Sequence, residues 1–355
     1  MSTRTYGFGI LGAGTIAPTH CKAIRALPNA RLAACCDVER PKAEKLAAEF
    51  GIPHVYTDFH QMLDREDVDV VEIVTWSGVH AEQGLAAAQA GKHLVITKPI
   101  DTRLERIDRL IETCRARGVK LGATHQFRGY PSYKRLKSAL DEGRLGRLFM
   151  GNGFLKWWRG QDYYDSAAWR GTWNLDGGGA LMNQAIHYVD MLTWLMGPPL
   201  SLRGFLATQC HDIEVEDCAT AAITWENGAL GTFQGATCIY KGLPARIEVH
   251  GERGNVVLEG DRIIRWEVEG EELETGAAGT GSVSNPGSGL GEAVDAHVEQ
   301  IGDVLAAIEE DREPAISGAE ARRAVEIILG IYHSAWNGET LRFPLERDPL
   351  PPAVL

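Results

Sequence analysis

Short apolar runs alternate with amphipathic segments through the first third of the chain. Tyr6 to Leu11 reads as a buried strand, Gly12-Ala13-Gly14 as a turn, and the segment to about Ala26 as a helix. The pattern then repeats. Leu32 to Cys36, Val70 to Thr75, His93 to Ile96 and Lys120 to Ala123 are apolar, and Lys42 to Phe50, Ala81 to Ala90 and Leu104 to Arg117 carry helical spacing between them. Strands that alternate with helices predict a parallel, doubly wound sheet.

The alternation stops around Gly122 to Gln126, which places a domain boundary there, with residues 1–123 as one domain and 124–355 as another. Beyond it the period changes to two. Glu216 to Trp225 and Ala229 to Tyr240 alternate across Asn227-Gly228, a pair suited to a type I′ hairpin, and Arg246 to His250 and Val256 to Glu259 flank a further tight turn. The expected fold is thus α/β plus α+β: a Rossmann-type parallel sheet followed by a domain built on a large, mainly antiparallel open sheet. Such a sheet covers one face with helices and offers the other to a partner subunit, so a homodimer or homotetramer is expected. Thr275 to Gly291, rich in Gly and Ser, reads as a mobile loop or lid, and two helices follow near Val294 to Glu310 and Ala319 to Trp336.

With 355 residues the chain has room for two such cores. The net charge of −12 opposes binding to nucleic acid or to an anionic membrane surface. No apolar stretch approaches a membrane span, and the polar opening leads straight into a strand, so a cytoplasmic protein is expected. The seven cysteines include no C-x-x-C pair, and no Cys/His cluster has metal-ligand spacing; buried thiols and no metal are the expectation.

Gly12-Ala13-Gly14-Thr15-Ile16-Ala17 fits G-x-G-x-x-A between a strand and a helix, where backbone N–H groups reach a pyrophosphate. Asp37 follows about 20 residues beyond, at the end of the next strand, where an acid accepts hydrogen bonds from ribose hydroxyls. Its charge repels a 2′-phosphate and favours NAD over NADP, although Arg40 is close enough to swing toward a phosphate. The expected cofactor contacts are Gly12, Gly14, Thr15, Ile16 and Asp37, with Thr75, His80 and Lys98 as further candidates.

Lys98 ends a strand at its carboxyl side, where open α/β sheets bind ligands; the competing reading is a surface lysine before a turn proline. A helix from about Ala180 to Met196 would set Asn183, His187, Asp190 and Trp194 on one side. His187 is then either catalytic or a structural histidine bonded to Asp190. Lys156 and Trp158 share a strand face, and Tyr163, Tyr164, Trp169, Arg170 and Trp173 crowd the next loop. Aromatic faces beside cations suit a sugar, with Lys156 or Arg170 reading a carboxylate or phosphate; aromatic packing and a surface salt bridge are the alternatives.

Gly12 to Ala17, Gly91 to Pro99 and Gly177 to His187 together resemble the Gfo/Idh/MocA oxidoreductases, over nearly the whole chain. The resemblance implies that Lys98 and His187 flank a reacting carbinol, arriving from separate folding units. Thr97 stands where the family usually has Glu, and Asn183 where many members have Asp. Asn183, with Tyr163-Tyr164-Asp165 and Trp169 to Trp173, resembles the branch that holds nucleotide-sugar uronate dehydrogenases. The implied activity is hydride transfer between nicotinamide and a secondary alcohol of a sugar, an inositol or a sugar derivative. His187 is the expected base, Lys98 the group that steadies alkoxide charge, and Asn183 the holder of a neighbouring hydroxyl, with the first two roles open to exchange. The resemblance also implies that Gln126 and Arg128 line the nicotinamide side, while His297 is a lesser candidate. The rival reading is an NAD-dependent glycosidase or lyase that works through a transient keto-sugar.

Overall fold

The computed structural model describes residues 4–275, 293–345 and 348–349, and most of the loop anticipated at Thr275 to Gly291 lies outside them. The chain forms two compact units, Met1–Gln126 with Leu290–Arg322, and Phe127–Gly289 with Arg323–Leu355. The segment Leu290–Arg322, which the sequence pattern assigns to the second domain, therefore groups with the first.

In the first unit the strands are β1 (Tyr6–Leu11), β2 (Ala30–Cys36), β3 (His54–Tyr56), β4 (Val70–Ile73), β5 (His93–Thr97) and β6 (Leu121–Thr124). Among the described residues they form a parallel sheet in the order β3-β2-β1-β4-β5-β6. The order reverses between β1 and β4, the crevice where such sheets bind ligands. Every residue of β1 and β4 is buried, as expected for strands covered on both faces. The helix Leu104–Arg117 shows how the pattern works: Leu104, Ile107, Leu110 and Cys114 fall on its buried side, and Gly118 ends it at φ +66°. The short strand β3 and the helix Phe59–Leu63 carry too few residues for a period to register.

The helix Ala293–Glu310 belongs to this unit because Ile301, Val304 and Leu305 enter the same core as Phe8, Ile10 and Ile24. Gly122 makes that approach possible, since a Cβ there would stand 2.3 Å from Val304 Cγ2.

The second unit contains β7 (Leu148–Lys156), β8 (Pro199–Ala207), β9 (Cys218–Trp225), β10 (Leu230–Ala236), β11 (Arg246–Gly251), β12 (Gly254–Glu259), β13 (Arg262–Val268), β14 (Glu274–Thr275) and β15 (Leu341–Arg342). They form one sheet in the order β14-β13-β12-β11-β7-β10-β9-β8-β15 among the described residues. It is not a pure meander. β7 inserts between β11 and β10 and runs parallel to β10, whereas the other neighbours are antiparallel.

The hairpin of β9 and β10 forms as the alternation predicts, but its turn differs from the expected type I′. Only Gly228 takes a positive φ, +85°, and Asn227 instead accepts a hydrogen bond from the Ala229 amide through Oδ1. Gly228 N donates to Trp225 O, so the connection is a tight turn closed by a left-handed glycine. Along β9 the inward Ala219, Ala221, Ile223 and Trp225 alternate with exposed or half-buried neighbours. No helix among the described residues is long and apolar enough to cross a membrane.

Candidate functional site

The glycine turn after β1 is shaped by two different needs. Gly12 has φ +103°, and a Cβ on it would strike Val74 O at 2.7 Å, so this position closes the turn against β4. Gly14 is the reverse case: a Cβ there meets nothing within 4 Å. The open space lies where a pyrophosphate approaches the backbone. The helix Ala17–Ala26 starts just beyond with no side chain capping its N-terminus; the Ala17 and Thr19 amides bond to Gly14 O and Ile16 O and Pro18 has no N–H, so what the helix offers an anion is its positive dipole end. Thr15 and Ile16 form the link, with Ile16 O accepting from the Thr19 amide at 3.0 Å.

Asp37 locks this turn to the end of β2. Its Oδ2 accepts from Ala13 N at 2.7 Å and its Oδ1 from Glu39 N at 2.8 Å. Each oxygen keeps a lone pair for a ribose hydroxyl. The residues present therefore fit a dinucleotide.

Thr75 lies past β4, and its hydroxyl donates to Gln83 Oε1 at 2.6 Å. His80 is buried, with its ring between Pro99 O at 2.8 Å and Thr75 O at 3.2 Å. Burial lowers its basicity and the Lys98 charge adds to the effect, while the two carbonyl acceptors oppose it. His80 ties the segment after β4 to the turn that carries half-buried Lys98. Asp101, which the sequence pattern did not single out, supports the same turn. Its carboxylate accepts from the amides of Ala81, Thr102 and Arg103 at 2.9, 2.7 and 3.1 Å. Gln126 is half-buried and ends this unit.

In the second unit the helix expected from Ala180 to Met196 is two elements. Ala180–Ala185 is a π-helix, and the α-helix proper runs Ile186–Met196. The wider turn changes the phase between Asn183 and His187, and such segments recur at functional sites. Glu216 holds the start of this helix. Its carboxylate accepts from Gly179 N at 3.0 Å, Leu181 N at 2.8 Å and Tyr332 Oη at 3.0 Å. Burial nevertheless pushes the carboxyl up to about 7.

His187 is buried, its ring stacked on Phe127 at 4.8 Å between centroids. Asp190, one turn on, has both oxygens engaged by Arg128, at 2.8 Å from Nε and 2.6 Å from a terminal nitrogen. Asn183 is oriented from both ends. Its amide donates to Asp176 Oδ1 at 2.7 Å, while its oxygen accepts from Gln184 Nε2 at 2.9 Å and from the Tyr163 hydroxyl at 3.4 Å. That hydroxyl in turn accepts from Gln184 Nε2 at 2.8 Å and from Arg170 at 2.5 Å. Burial raises the Tyr163 phenol, which keeps it neutral and able to donate.

Arg170 stacks over Tyr163 at 4.3 Å and over Trp169 at 4.6 Å. It lines a cavity of about 280 Å³ with Tyr164, Gly171, Asp212, Ile213 and Glu214. Tyr164 turns inward, its hydroxyl 2.8 Å from Thr237 Oγ1. Lys156, at the end of β7, lies over Phe154 at 5.2 Å rather than within this network. Tyr163, Asn183, Arg170 and Gln184 thus come together. The sequence reading gave no role to Gln184, although it lies in the Gly177 to His187 stretch, nor to Glu216, which supports the start of that helix; only the folded contacts single them out.

Two family models match the chain: "Oxidoreductase family, NAD-binding Rossmann fold" over residues 6–125, and "GFO/IDH/MocA C-terminal domain" over residues 133–257. The WlbA dehydrogenase of Bordetella pertussis, solved with NADH and UDP-GlcNAcA, is 34% identical with a TM-score of 0.86, covering 97% of this chain and 100% of that one. The WlbA enzyme of Chromobacterium violaceum, solved with the same ligands, is 32% identical with a TM-score of 0.86 and 98% coverage of each chain. The inositol 2-dehydrogenase of Rhizobium meliloti is 28% identical over 330 residues, 91% of this chain and 94% of its own.

Proposed function

We propose, from the premise that this chain belongs to the Gfo/Idh/MocA family of oxidoreductases, that its substrate is a carboxylate-bearing sugar, either a uronate or a nucleotide-linked uronate. The chain is an NAD-dependent dehydrogenase of the sugar and polyol class. The finer assignment is carried by Arg170. This guanidinium is partly buried between two aromatic rings, its Nε has no hydrogen-bond partner, and its recorded acceptor is a neutral phenol. Among the described residues no carboxylate is ion-paired with it. A cation so placed gains most from a carboxylate that arrives with the ligand. The two WlbA structures, each holding UDP-GlcNAcA, support the same reading.

Gly12, Gly14 and Asp37 would hold NAD, which would supply the hydride acceptor for the carbinol carbon. The chain has to remove the hydroxyl proton and steady the charge left on oxygen. We assign proton removal to His187, whose ring plane is fixed by Phe127, and charge stabilisation to Lys98, whose turn is fixed by His80 and Asp101. Asn183, with its amide oriented by Asp176, positions a neighbouring hydroxyl. Trp169 and Tyr163 supply faces for the sugar ring, and Tyr164 forms part of the cavity wall beside Arg170.

The same reading includes a homo-oligomer. Met150, Phe205 and Leu230 are exposed apolar side chains on one face of the second sheet, beside exposed Thr220 and Ala222. That face is the expected subunit contact.

The test is to incubate the enzyme with NAD and a panel of inositols, neutral hexoses, uronates and nucleotide-linked uronates, following NADH absorbance and identifying the products. The expected result is a kcat/KM for a carboxylate-bearing sugar at least a hundredfold above that of its neutral counterpart. Equal turnover of the neutral sugars would remove the uronate assignment.

A further inference from the structure

We propose that Cys210, Asp217 and Cys238 form a binding site for a soft divalent cation of the zinc type. Spacing along the chain gave no hint of it, because the three residues come from different segments of the second unit. Cys210 lies in the loop after β8, Asp217 just before β9, and Cys238 just after β10.

Their two sulfurs and one carboxylate oxygen all lie within 4.8 Å of one another. Donors held tetrahedrally at about 2.3 Å for sulfur and 2.1 Å for oxygen stand roughly 3.5–3.8 Å apart, so a contraction of about 1 Å closes them around an ion. A pair of thiols with one carboxylate selects zinc, cadmium or cobalt over magnesium and calcium, which prefer oxygen alone.

The carboxylate is oriented before any ion arrives. Asp217 is fully buried, and its Oδ2 accepts from Cys210 N and from the His211 ring, each at 2.8 Å. Its Oδ1 accepts only from Gln209 N, at 2.8 Å, which leaves one lone pair for a metal. His211 is itself anchored, 2.9 Å from Arg159 O, so the ligand has the outer hydrogen-bonded support that metal sites require. Cys238 is fixed by the bridge between its backbone and Trp158. Exposed Cys210 gives the ion a way in from solvent and leaves a fourth position to water or to the thiol of Cys218, which contacts that of Cys238.

The site has a consequence for the cavity described above. The loop from Thr208 to Asp217 carries Asp212, Ile213 and Glu214 into the wall that also holds Arg170. An ion joining Cys210 to Cys238 pins that loop to the end of β10 and stiffens the wall.

The test uses the full-length protein, reduced and stripped of metal under anaerobic conditions, titrated with Co(II) and then Zn(II). One equivalent of Co(II) should produce a sulfur-to-cobalt charge-transfer band that Zn(II) abolishes. The band should vanish in the Cys210→Ser/Cys238→Ser double variant and require at least tenfold more metal in Asp217→Asn, with circular dichroism and urea unfolding checked to show that each variant is folded. Zn(II) should also protect Cys210 and Cys238 of the wild-type protein from alkylation, and should leave the alkylation of the double variant's remaining thiols unchanged. Absence of the band in the wild type, or an undiminished band in the folded double variant, overturns the proposal.

Discussion

The Asp37 carboxylate accepts a hydrogen bond from the Ala13 amide at 2.7 Å, so the acid that is to read the ribose also holds the glycine turn that is to receive the pyrophosphate. One side chain therefore couples two parts of the proposed cofactor contact. Hydrogen bonds to a charged group contribute about 1.5–3 kcal/mol each. Asp37→Ala is expected to raise KM for NAD about tenfold to a hundredfold and to narrow the preference for NAD over NADP, because the repelling charge is gone. Steady-state kinetics with both cofactors checks this, and an unchanged ratio of the two kcat/KM values would count against the assignment.

Lys98→Ala and His187→Ala should each lower kcat by about a hundredfold to a thousandfold, since each removes a group that the proposed mechanism places in the transition state. Binding of NADH, followed by fluorescence, should stay within a few fold of wild type in His187→Ala. Exchange of roles is separable by pH: the variant that retains the residual base should keep an ionisation on the acid limb of kcat. Wild-type turnover in both variants would dismiss the pair.

Local features of the first unit were legible because each is written in a short window. The helix Leu104–Arg117 has its buried side at i, i+3 and i+6, and Asp37 stands at a fixed distance from the glycine turn. Features that depend on distant residues were not. Gly122 looks like any strand glycine until Val304, 182 positions on, needs the space it leaves. Glu216 reaches Gly179 across 37 positions, and Cys238 meets Cys210 only once β9 and β10 have paired. The turn at Asn227-Gly228 was misjudged in type because the asparagine accepts a local hydrogen bond and stays out of the left-handed region. Periodicity could place Asn183 on the same helix as His187, but not the π-turn between them.

The Arg128 and Asp190 pair is nearly excluded from solvent, with two hydrogen bonds of 2.8 and 2.6 Å, and it braces the helix that carries His187. Removing one partner strands a buried charge at a cost of roughly 3–5 kcal/mol, whereas removing both costs less. Arg128→Met is therefore expected to lower stability by about 3 kcal/mol or more, and Arg128→Met/Asp190→Leu to recover part of that loss. Urea unfolding of the two variants and the wild type decides it; a double variant no more stable than the single would show that the charge is not the cause.

Glu216 makes stability depend on pH in a direction opposite to that of an ordinary salt-bridged acid. Its carboxyl rises from an ordinary value of 4.5 to about 7 in the folded chain, because burial penalises the charge more than three donated hydrogen bonds favour it. The folded state thus holds the proton more tightly than the unfolded one. Its contribution is fully present below pH 4.5 and is lost as pH rises through 7, with a total on the order of 3 kcal/mol from a shift of about 2.5 units. Glu216→Gln cannot titrate, so its urea midpoint should fall less than that of the wild type between pH 5 and 8. Taking the difference between the two proteins cancels the other titrating groups that they share. The charged carboxylate is the stronger acceptor for the Gly179 and Leu181 amides, so the ionisation lowers global stability without weakening its hold on the start of the π-helix. Hydrogen exchange of amides that open only by global unfolding should therefore quicken over that pH range, beyond the ordinary base dependence, in the wild type and not in Glu216→Gln; parallel exchange in the two proteins would assign the pH response to some other group.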